Sequence, residues 1–373
     1  MSDPISLQQP LPYATPAANR VRPRFPGGGG ALHVLAVLTA CATFPLIFMG
    51  GLVTSHQAGM SVPDWPNSYG YNMFLFPPRF WIGGIFYEHT HRLMGTVVGV
   101  LAIALVVASF LQPRVGWRQR WLALAVLGAV LFQGILGGLR VVLVKLDLAI
   151  VHACVAQAFF CLAAFAALST SKWWNAPRPL QSPSGRGRGL VMLGIATVAT
   201  IYLQLIVGAT MRHYQAGLAI PDLPLAYGKV LPPVSPDGLD AVNVVRARRW
   251  NLDPVTLGQV WLHFGHRLGA VFVSIMVLAL AALVLRRYRT QPKLLVPAVL
   301  LIALLLVQLT LGVLTVLLRK PADVASAHVA VGALVLVTSF VLTARAVRLY
   351  GIRRAPVVQE MSEIPLSGAL AVS

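Results

Sequence analysis

Charged residues are scarce in this chain of 373 residues, and acidic residues are the scarcest. Lys, Arg, Asp and Glu make up only 11% of the sequence, with 11 acidic residues against 30 basic ones. A soluble domain carries roughly 25% charged residues, so this composition excludes one. Hydrophobic residues make up 57%, and the mean hydropathy of +0.73 indicates an integral membrane protein.

Cysteine is rare, and residues 1–30 are not expected to be a signal peptide. Cys41, Cys154 and Cys161 are the three cysteines, and all lie in apolar runs, where packing is their expected role. Residues 1–30 have neither an apolar h-region nor a small-residue cleavage site, and their start is unlike an organellar transit peptide. Their richness in Pro, Gly, Gln and Ala predicts a disordered cytoplasmic leader.

Long apolar runs are abundant. A helix needs about 20 residues to cross the hydrocarbon core of a bilayer. Eight runs reach that length: 31–54, 86–111, 121–144, 146–170, 190–211, 260–285, 294–318 and 324–346. The sequence therefore predicts an all-α integral membrane protein with eight transmembrane helices.

The positions of the basic residues explain the net charge of +19 without a nucleic-acid partner. If the N-terminus lies inside, 18 of the 30 Lys and Arg fall in segments on the cytoplasmic side, at 1–30, 112–120, 171–189, 286–293 and 345–373. By the positive-inside rule, we expect both termini in the cytoplasm. The excess of positive charge then faces the anionic inner leaflet.

The chain contains an internal repeat. "HQAGMSVPDWPNSYG" at 56–70 matches "YQAGLAIPDLPLAYG" at 214–228, at an offset of 158 residues. "EHTHRL" at 88–93 then matches "HFGHRL" at 263–268, at an offset of 175 because the second loop carries an insertion. Each half has four spans, and an even number means that both halves enter the bilayer from the same side.

The repeat predicts two parallel four-helix bundles. The predicted boundaries are a leader at 1–30, bundles at 31–170 and 190–346, a cytoplasmic linker at 171–189 and a cytoplasmic tail at 347–373. The two repeated loops lie on the outer side, where they could cover a site held by the helices. Aromatic interface anchors with proline turns are the alternative interpretation of these loops.

Four of the nine histidines occupy equivalent places, near the outer ends of the even-numbered spans: His91, His152, His266 and His328. Zinc usually needs three or four clustered ligands, and a single half of the chain supplies too few of them at one level. Haem iron needs only two axial ligands, which one histidine from each of two facing helices provides. We therefore predict two haem sites, one held by His91 with His152 and one by His266 with His328.

Three charged residues accompany these histidines. Arg92 and Arg267 directly follow His91 and His266, where a guanidinium could bind haem propionates or simply reach the membrane surface. Glu88 stands three residues before His91, on the same helical face. It is a candidate catalytic acid or base in the first half only, and a favourable charge at a helix N-terminus is the alternative role.

Other residues near the predicted sites are weaker candidates. His263 aligns with Glu88, and His56, His89 and His213 are candidate proton carriers near the same helix ends. Six glycines could let a flat ring approach the helices or could serve helix packing: Gly95, Gly99, Gly137, Gly138, Gly269 and Gly312.

Together these motifs resemble the haem A synthase family, membrane enzymes that convert haem O to haem A for cytochrome oxidases. The resemblance covers about 31–346 and rests on "EHTHR", "GHR", His152, His328 and the two "QAG" loops with "PDWP" and "PDLP". Part of that family carries a cysteine pair in an outer loop. Here 55–85 and 213–259 contain no cysteine, so the chain resembles the subgroup without that pair, and a thiol-based step there is excluded.

The resemblance implies roles for both halves. The first half would bind the substrate haem O through His91 and His152, and the second a haem b cofactor through His266 and His328. Glu88 would act as acid or base while a ring methyl is oxidised to a formyl group. Two imidazoles leave the iron no vacancy, so either one ligand leaves during turnover or oxidation occurs away from the iron.

The resemblance also implies a location and partners. The chain would lie in a bacterial inner membrane, with its haem sites toward the periplasm. Its partners would be an electron donor of unknown identity, haem O synthase and cytochrome oxidase, and a homo-oligomer is a further expectation.

Two other function classes remain open on the residues alone. A two-haem electron carrier linked to quinone would use the same ligands, although four histidines at one depth do not suit electron transfer across the bilayer. A parallel-repeat transporter would use the histidines as proton relays and would bind no stoichiometric haem.

Overall fold

The computed structural model describes residues 30–177 and 187–351, and nearly all of this part is helical. Its α-helices, in chain order, are α1 Gly30–Ser55, α2 Gly83–Leu111, α3 Trp117–Val142, α4 Leu146–Thr170, α5 Lys172–Asn175, α6 Arg188–His213, α7 Pro236–Val245, α8 Leu257–Arg287, α9 Pro292–Leu317 and α10 Ala322–Tyr350. Eight of them are long and apolar enough to cross a membrane, with 25 to 31 residues each. The prediction of an all-α chain with eight spans is confirmed.

The predicted leader at 1–30 lies outside the described residues except for Gly30, and the predicted tail does so from residue 352 onward. Of the predicted linker at 171–189, the structure describes the two ends. Its first end forms the short helix α5.

The eight long helices pack as two groups of four. In the first group α1 contacts α2 and α4, and α3 contacts the same two helices. In the second group α6 contacts α8 and α10, and α9 contacts the same two. Each group encloses an apolar core, with residues such as Val98 and Val126 in the first and Leu280 and Leu301 in the second.

The two groups meet along α1, α4, α6 and α10. Ile47, Phe160 and Ala333 form a small buried cluster at this junction. A Cβ on Gly51 would lie 3.0 Å from the Cβ of Ser326, so a glycine is needed for α1 to approach α10 this closely.

The two repeated loops fold alike over one end of the bundles. The Asp64 carboxylate accepts hydrogen bonds from the amides of Tyr69 at 2.7 Å and Gly70 at 2.8 Å. In the second loop, Asp222 accepts the same pair of bonds from Tyr227 and Gly228, both at 2.8 Å. Gly70 and Gly228 both have φ of +76°, a conformation that glycine adopts without steric cost.

The insertion in the second loop forms α7 and a π-helical turn at Arg246–Trp250. Arg246 is buried and donates to the carbonyl oxygens of Leu218 at 2.8 Å and Ala219 at 2.6 Å. The insertion is therefore fastened to the repeated part of its own loop.

Candidate functional site

The four predicted histidines form two pairs beneath the repeated loops. His91 on α2 faces His152 on α4, with ring centroids 6.5 Å apart and ring planes at 82°. His266 on α8 faces His328 on α10, also at 6.5 Å, with planes at 72°. Each bundle thus brings together the two histidines that the repeat singles out.

The spacing within each pair suits a shared metal. An imidazole nitrogen binds a metal at about 2.0–2.1 Å, so two such bonds plus the two half-rings separate the ring centroids by roughly 6 Å. The Nδ1 atoms of His91 and His152 are buried and make no hydrogen bond of normal geometry, although backbone groups of Leu46 and Gln133 lie close to the two rings. The ring separation, which is the same in both pairs, therefore carries the case for a group held between the two imidazoles.

No group of three or more His, Cys, Asp or Glu with metal-site geometry occurs in the described ranges 30–177 and 187–351. A structural zinc site needs three or four such ligands. Two-ligand pairs in apolar bundles instead fit haem iron, whose porphyrin supplies the remaining four nitrogens.

A glycine on the neighbouring helix lies against each of the four rings. A Cβ built on Gly50 or Gly208 would lie 3.0 Å from the Cε1 atom of His91 or His266. The corresponding distances are 3.2 Å from Gly137 to His152 and 3.1 Å from Gly312 to His328. Carbon atoms normally approach to about 3.5–4.0 Å, so a methyl group at any of the four positions would displace an imidazole.

The sequence identified only two of these four glycines. Gly137 and Gly312, singled out for a possible approach of a flat ring, lie against histidine side chains, whereas Gly138 faces Trp65 and Gly269 faces Gln204. Gly95 and Gly99 have no atom within 4 Å of a Cβ position. Gly50 and Gly208 were missed, although they are 158 residues apart and their place in the repeat could have revealed them.

Three glutamines also border the histidines. Gln133 donates to the carbonyl oxygen of His152 at 3.1 Å. Gln204 donates to the carbonyl oxygen of His266 at 2.7 Å, and its amide nitrogen lies 3.0 Å from the Nδ1 atom of that ring. Gln308 aligns with Gln133, and its backbone carbonyl oxygen lies 3.2 Å from Nδ1 of His328. Each site therefore has a polar neighbour that restrains the helix or the ring.

Glu88 is buried, with 3% of its surface exposed, and binds two groups. Its Oε1 atom forms an ion pair with Nη2 of Arg92 at 2.9 Å, and its Oε2 atom accepts the Val62 amide at 2.9 Å. In the second half, Nδ1 of His263 accepts the Ile220 amide at 3.1 Å. Val62 and Ile220 are equivalent loop residues, so Glu88 and His263 both anchor the loop above their site.

Arg92 and Arg267 bind carbonyl oxygens of the same loops. Arg92 donates to Asp64 at 2.7 Å, Asn67 at 2.9 Å and Val62 at 2.7 Å. Arg267 donates to Leu225 at 3.1 Å and Ile220 at 2.7 Å, which are the counterparts of Asn67 and Val62. Loop fastening is a role for these arginines that the sequence did not suggest.

The remaining predicted histidines differ in their surroundings. His89 is buried, with its Nδ1 atom 3.1 Å from the Ser68 hydroxyl and its ring against Trp81 and Phe76. His56 is exposed and stacks on Tyr87 at 3.9 Å. His213, at the end of α6, lies close enough to His152 for their charges to interact.

Two further cations beside the sites were missed by the sequence reasoning. Arg140 on α3 donates to the carbonyl oxygen of Gly59 at 2.9 Å and interacts electrostatically with Glu88. Lys320 of the second half donates to Gln215 at 3.1 Å and lies against Gly217, the counterpart of Gly59. The glycine of each "QAG" motif therefore rests against a basic side chain.

Local electrostatics set the charge of two groups near the loops. Burial acts to raise the pKa of Asp64, but the Gly70 and Tyr69 amides and the charge of Arg92 hold it below its usual range. Burial, together with the nearby charge of Arg212, lowers the pKa of Lys320. The loop end of the molecule thus combines a firmly ionised aspartate with a lysine whose positive charge is destabilised.

Comparison with known proteins gives a consistent result. Residues 33–340 match the COX15-CtaA family, described as cytochrome oxidase assembly protein. A protein named heme A synthase from Caulobacter sp. (strain K31) is 26% identical over 339 residues, covering 83% of this chain and 92% of its own. A protein of the same name from Geobacillus kaustophilus (strain HTA426) is 28% identical over 306 residues, covering 80% of this chain and 86% of its own.

Proposed function

This chain belongs to the COX15-CtaA family of cytochrome oxidase assembly proteins, and on that premise we propose that it makes haem A using two haem sites, each held by one histidine pair. It is an oxidoreductase of haem A biosynthesis, as the heme A synthases that align with most of its length indicate. The observation that carries the two-site proposal is the equal 6.5 Å separation of both histidine pairs.

In this proposal the first bundle, 31–170, binds the substrate haem O between His91 and His152. The second bundle, 190–346, holds haem b between His266 and His328. When bound, haem b supplies a one-electron carrier beside the substrate site. The difference between the halves supports this assignment, because the first has the carboxylate of Glu88 where the second has the imidazole of His263.

The proposed reaction oxidises a ring methyl group to a formyl group. That carbon loses four electrons. With O2 and an electron donor, two hydroxylations each consume one O2, two protons and two electrons, and the resulting diol loses water; with water as the oxygen source, an electron acceptor takes four electrons and four protons are released. Both routes need a group near the reacting edge that transfers protons. Glu88 is the candidate because it lies three residues before His91 and is buried beneath the loop. His263 anchors its loop without a carboxylate, so anchoring alone does not explain an acid at position 88.

Arg92 and Arg267 are proposed to stabilise haem propionates. A guanidinium has five N–H donors, and in Arg92 four are engaged by three loop carbonyls and Glu88. Arg92 would therefore act on a propionate mainly through its charge. The Nη atoms of Arg267 donate to only two loop carbonyl oxygens. Arg267 therefore retains more N–H groups than Arg92 for direct hydrogen bonds to a propionate.

The proposed orientation puts the histidines toward the periplasm of a bacterial inner membrane and both termini in the cytoplasm. The distribution of basic residues supports it, because the segments rich in Lys and Arg lie at the end of the helices opposite to the histidines. Haem O synthase, cytochrome oxidase, an electron donor and a second copy of this chain are the proposed partners.

Haem analysis of the purified protein tests the proposal. The chain is expressed in cells that supply haem O, and the haems are extracted and identified. We expect haem A together with haem b, and His91→Ala should abolish haem A while the haem b spectrum persists. His266→Ala should remove the haem b spectrum, and Arg79→Gln, at an exposed arginine of the first outer loop, should change neither. If only haem b and unaltered haem O are recovered with an electron donor present, the enzymatic proposal fails.

A further inference from the structure

A cavity of about 360 Å³ lies between the two bundles, at the end opposite to the histidine pairs. It is bordered by α1 and α4 of the first bundle and by α10 and the start of α9 of the second. Its wall includes Val37 and Cys41, which are exposed on the apolar outer surface of α1. The cavity is therefore open toward the region that lipid chains occupy in a membrane.

The rim of this cavity is basic. His33, Lys293 and Arg345 line it, and none of its lining residues is acidic. Arg345 donates to the Lys293 carbonyl oxygen at 3.0 Å, while its Nε atom is buried and has no hydrogen-bond partner among the described residues. A buried guanidinium N–H without an acceptor is costly, so an anion bound at the rim would stabilise this arrangement.

An aromatic residue stands beside the basic rim. Trp173 on α5 lines the cavity, and the Arg348 guanidinium lies 5.2 Å from its ring centroid and donates to its carbonyl oxygen at 3.0 Å. Tryptophan prefers the boundary between lipid chains and headgroups. The rim therefore lies at the depth where phospholipid phosphates are found.

The floor of the cavity is formed by small apolar side chains, including Ala40, Ala164 and Ala167. A floor of this kind has no donor or acceptor for the rest of a polar ligand. It does provide van der Waals contact for a hydrocarbon chain.

The pseudosymmetric position on the other side of the molecule is filled. The repeat pairs Ala164 with Phe340 and Val341 with Phe165, and these two phenylalanines contact each other with ring centroids 6.2 Å apart. Two of the three basic groups are also missing there, because Val191 aligns with His33 and Ser169 aligns with Arg345, while Lys293 aligns with Arg118. The cavity is thus a property of one junction and not a requirement of the duplicated fold.

We propose that this cavity binds one anionic phospholipid. Its phosphate accepts hydrogen bonds from Arg345 and from a ring nitrogen of His33 and binds the charge of Lys293, and one acyl chain lies along the alanine floor. Basic pockets between transmembrane helices are suited to acidic headgroups. A phospholipid fits better than free phosphate because the apolar floor continues from the rim to the lipid-facing surface. The lipid would join the two bundles at the end away from the haem sites.

Native mass spectrometry of the detergent-solubilised protein, together with thermal unfolding, tests this site. We expect one retained phospholipid per chain and an upward shift of the unfolding temperature with phosphatidylglycerol, but not with phosphatidylcholine or inorganic phosphate. Combining Lys293→Gln with Arg345→Gln should weaken lipid retention by about tenfold or more. The matched control combines Arg286→Gln with Arg287→Gln and should retain the lipid. These two exposed arginines lie at the C-terminal end of α8, at the same end of the molecule as the cavity.

A second variant tests the floor independently of charge. Ala164→Phe introduces the residue found in the other half and should exclude the acyl chain while leaving His33, Lys293 and Arg345 in place. Ala164→Phe also tests the lipid site if the double variant of Lys293 and Arg345 does not fold. Equal stabilisation by phosphatidylcholine or phosphate, undiminished lipid retention in Ala164→Phe, or retention of a haem in place of the phospholipid would overturn the proposal.

Discussion

Glu88 and His263 accept a hydrogen bond from the same place in two copies of one loop. The Val62 amide donates to Oε2 of Glu88 at 2.9 Å, and the Ile220 amide donates to Nδ1 of His263 at 3.1 Å. One half performs this task with a carboxylate and the other with an imidazole. The anchoring role and the proposed proton-transfer role of Glu88 can therefore be separated by mutation.

Glu88→Gln should lower the yield of haem A by about 10²-fold or more, because general acid–base catalysis contributes roughly 10²–10⁴-fold. The amide oxygen of glutamine can still accept the Val62 hydrogen bond, so both bis-histidine absorption spectra should persist. Haem extraction and visible spectroscopy on the same sample provide the two readouts. His263→Gln is the matched control and should leave the yield unchanged. A fully active Glu88→Gln protein would reduce Glu88 to a loop anchor.

Gly50→Ala should disturb the first histidine pair alone. The added methyl group would lie 3.0 Å from Cε1 of His91, so the ring must leave the position in which it faces His152. We expect a loss of about 1–3 kcal/mol in stability, as for other overpacked positions. The low-spin haem signal of the first site should weaken, while that of the second site is retained.

Two control substitutions accompany Gly50→Ala. Gly208→Ala should produce the reciprocal spectrum, since Gly208 contacts His266 in the same way. Gly134→Ala, whose Cβ would meet no atom within 4 Å, should change neither signal. Electron paramagnetic resonance distinguishes the sites, and equal effects at both after Gly50→Ala would contradict the assignment.

Arg92→Lys should loosen the first outer loop. Lysine cannot bond three carbonyl oxygens and Glu88 at once in the geometry of the guanidinium, so buried acceptors would lose their partners. We expect a destabilisation of about 1–3 kcal/mol. Limited proteolysis of residues 56–82 should become faster in this variant. Arg79→Lys, at an exposed arginine of the same loop, should be cut at the native rate, and equal rates for both variants would exclude the anchoring role.

Acidification should loosen the turn held by Asp64. Its pKa is lower in the folded chain than in the unfolded chain, so its contribution to stability is complete above the unfolded pKa. That contribution is lost as the pH falls through the lower, folded value. The protection factors of the Tyr69 and Gly70 amides, which compare each exchange rate with that of an unfolded chain at the same pH, should therefore stay constant down to about pH 4 and fall below it. In Asp64→Asn the side chain can accept through only one oxygen, so one of the two amides loses its acceptor. Exchange of these amides should therefore be faster in this variant already at neutral pH.

The sequence was sufficient to predict the eight spans and which of the four repeated histidines face each other. Span number depends on the length and polarity of apolar runs, which are local properties. The repeat predicted the histidine pairs, because the same histidine pattern occurs in both halves and each half must pair its own two histidines in the same way.

The contacts between helices were decided only by the tertiary structure. Gly50 and His91 lie on different helices, and nothing in either helix alone indicates that the glycine must leave room for the ring. Likewise, the residues that Arg92 and Glu88 bind depend on how a loop of more than 20 residues folds back over α2.

The cavity beside Arg345 illustrates the same limit. Alanines at 40 and 164 look like ordinary small residues of a transmembrane helix, and only the packing of α1, α4 and α10 leaves space between them. Hydropathy and repeats are encoded along the chain, so the sequence by itself determined the spans and the paired histidines. Shape complementarity between distant side chains exists only once the helices are packed, and it decided the glycine contacts, the loop anchors and this basic cavity.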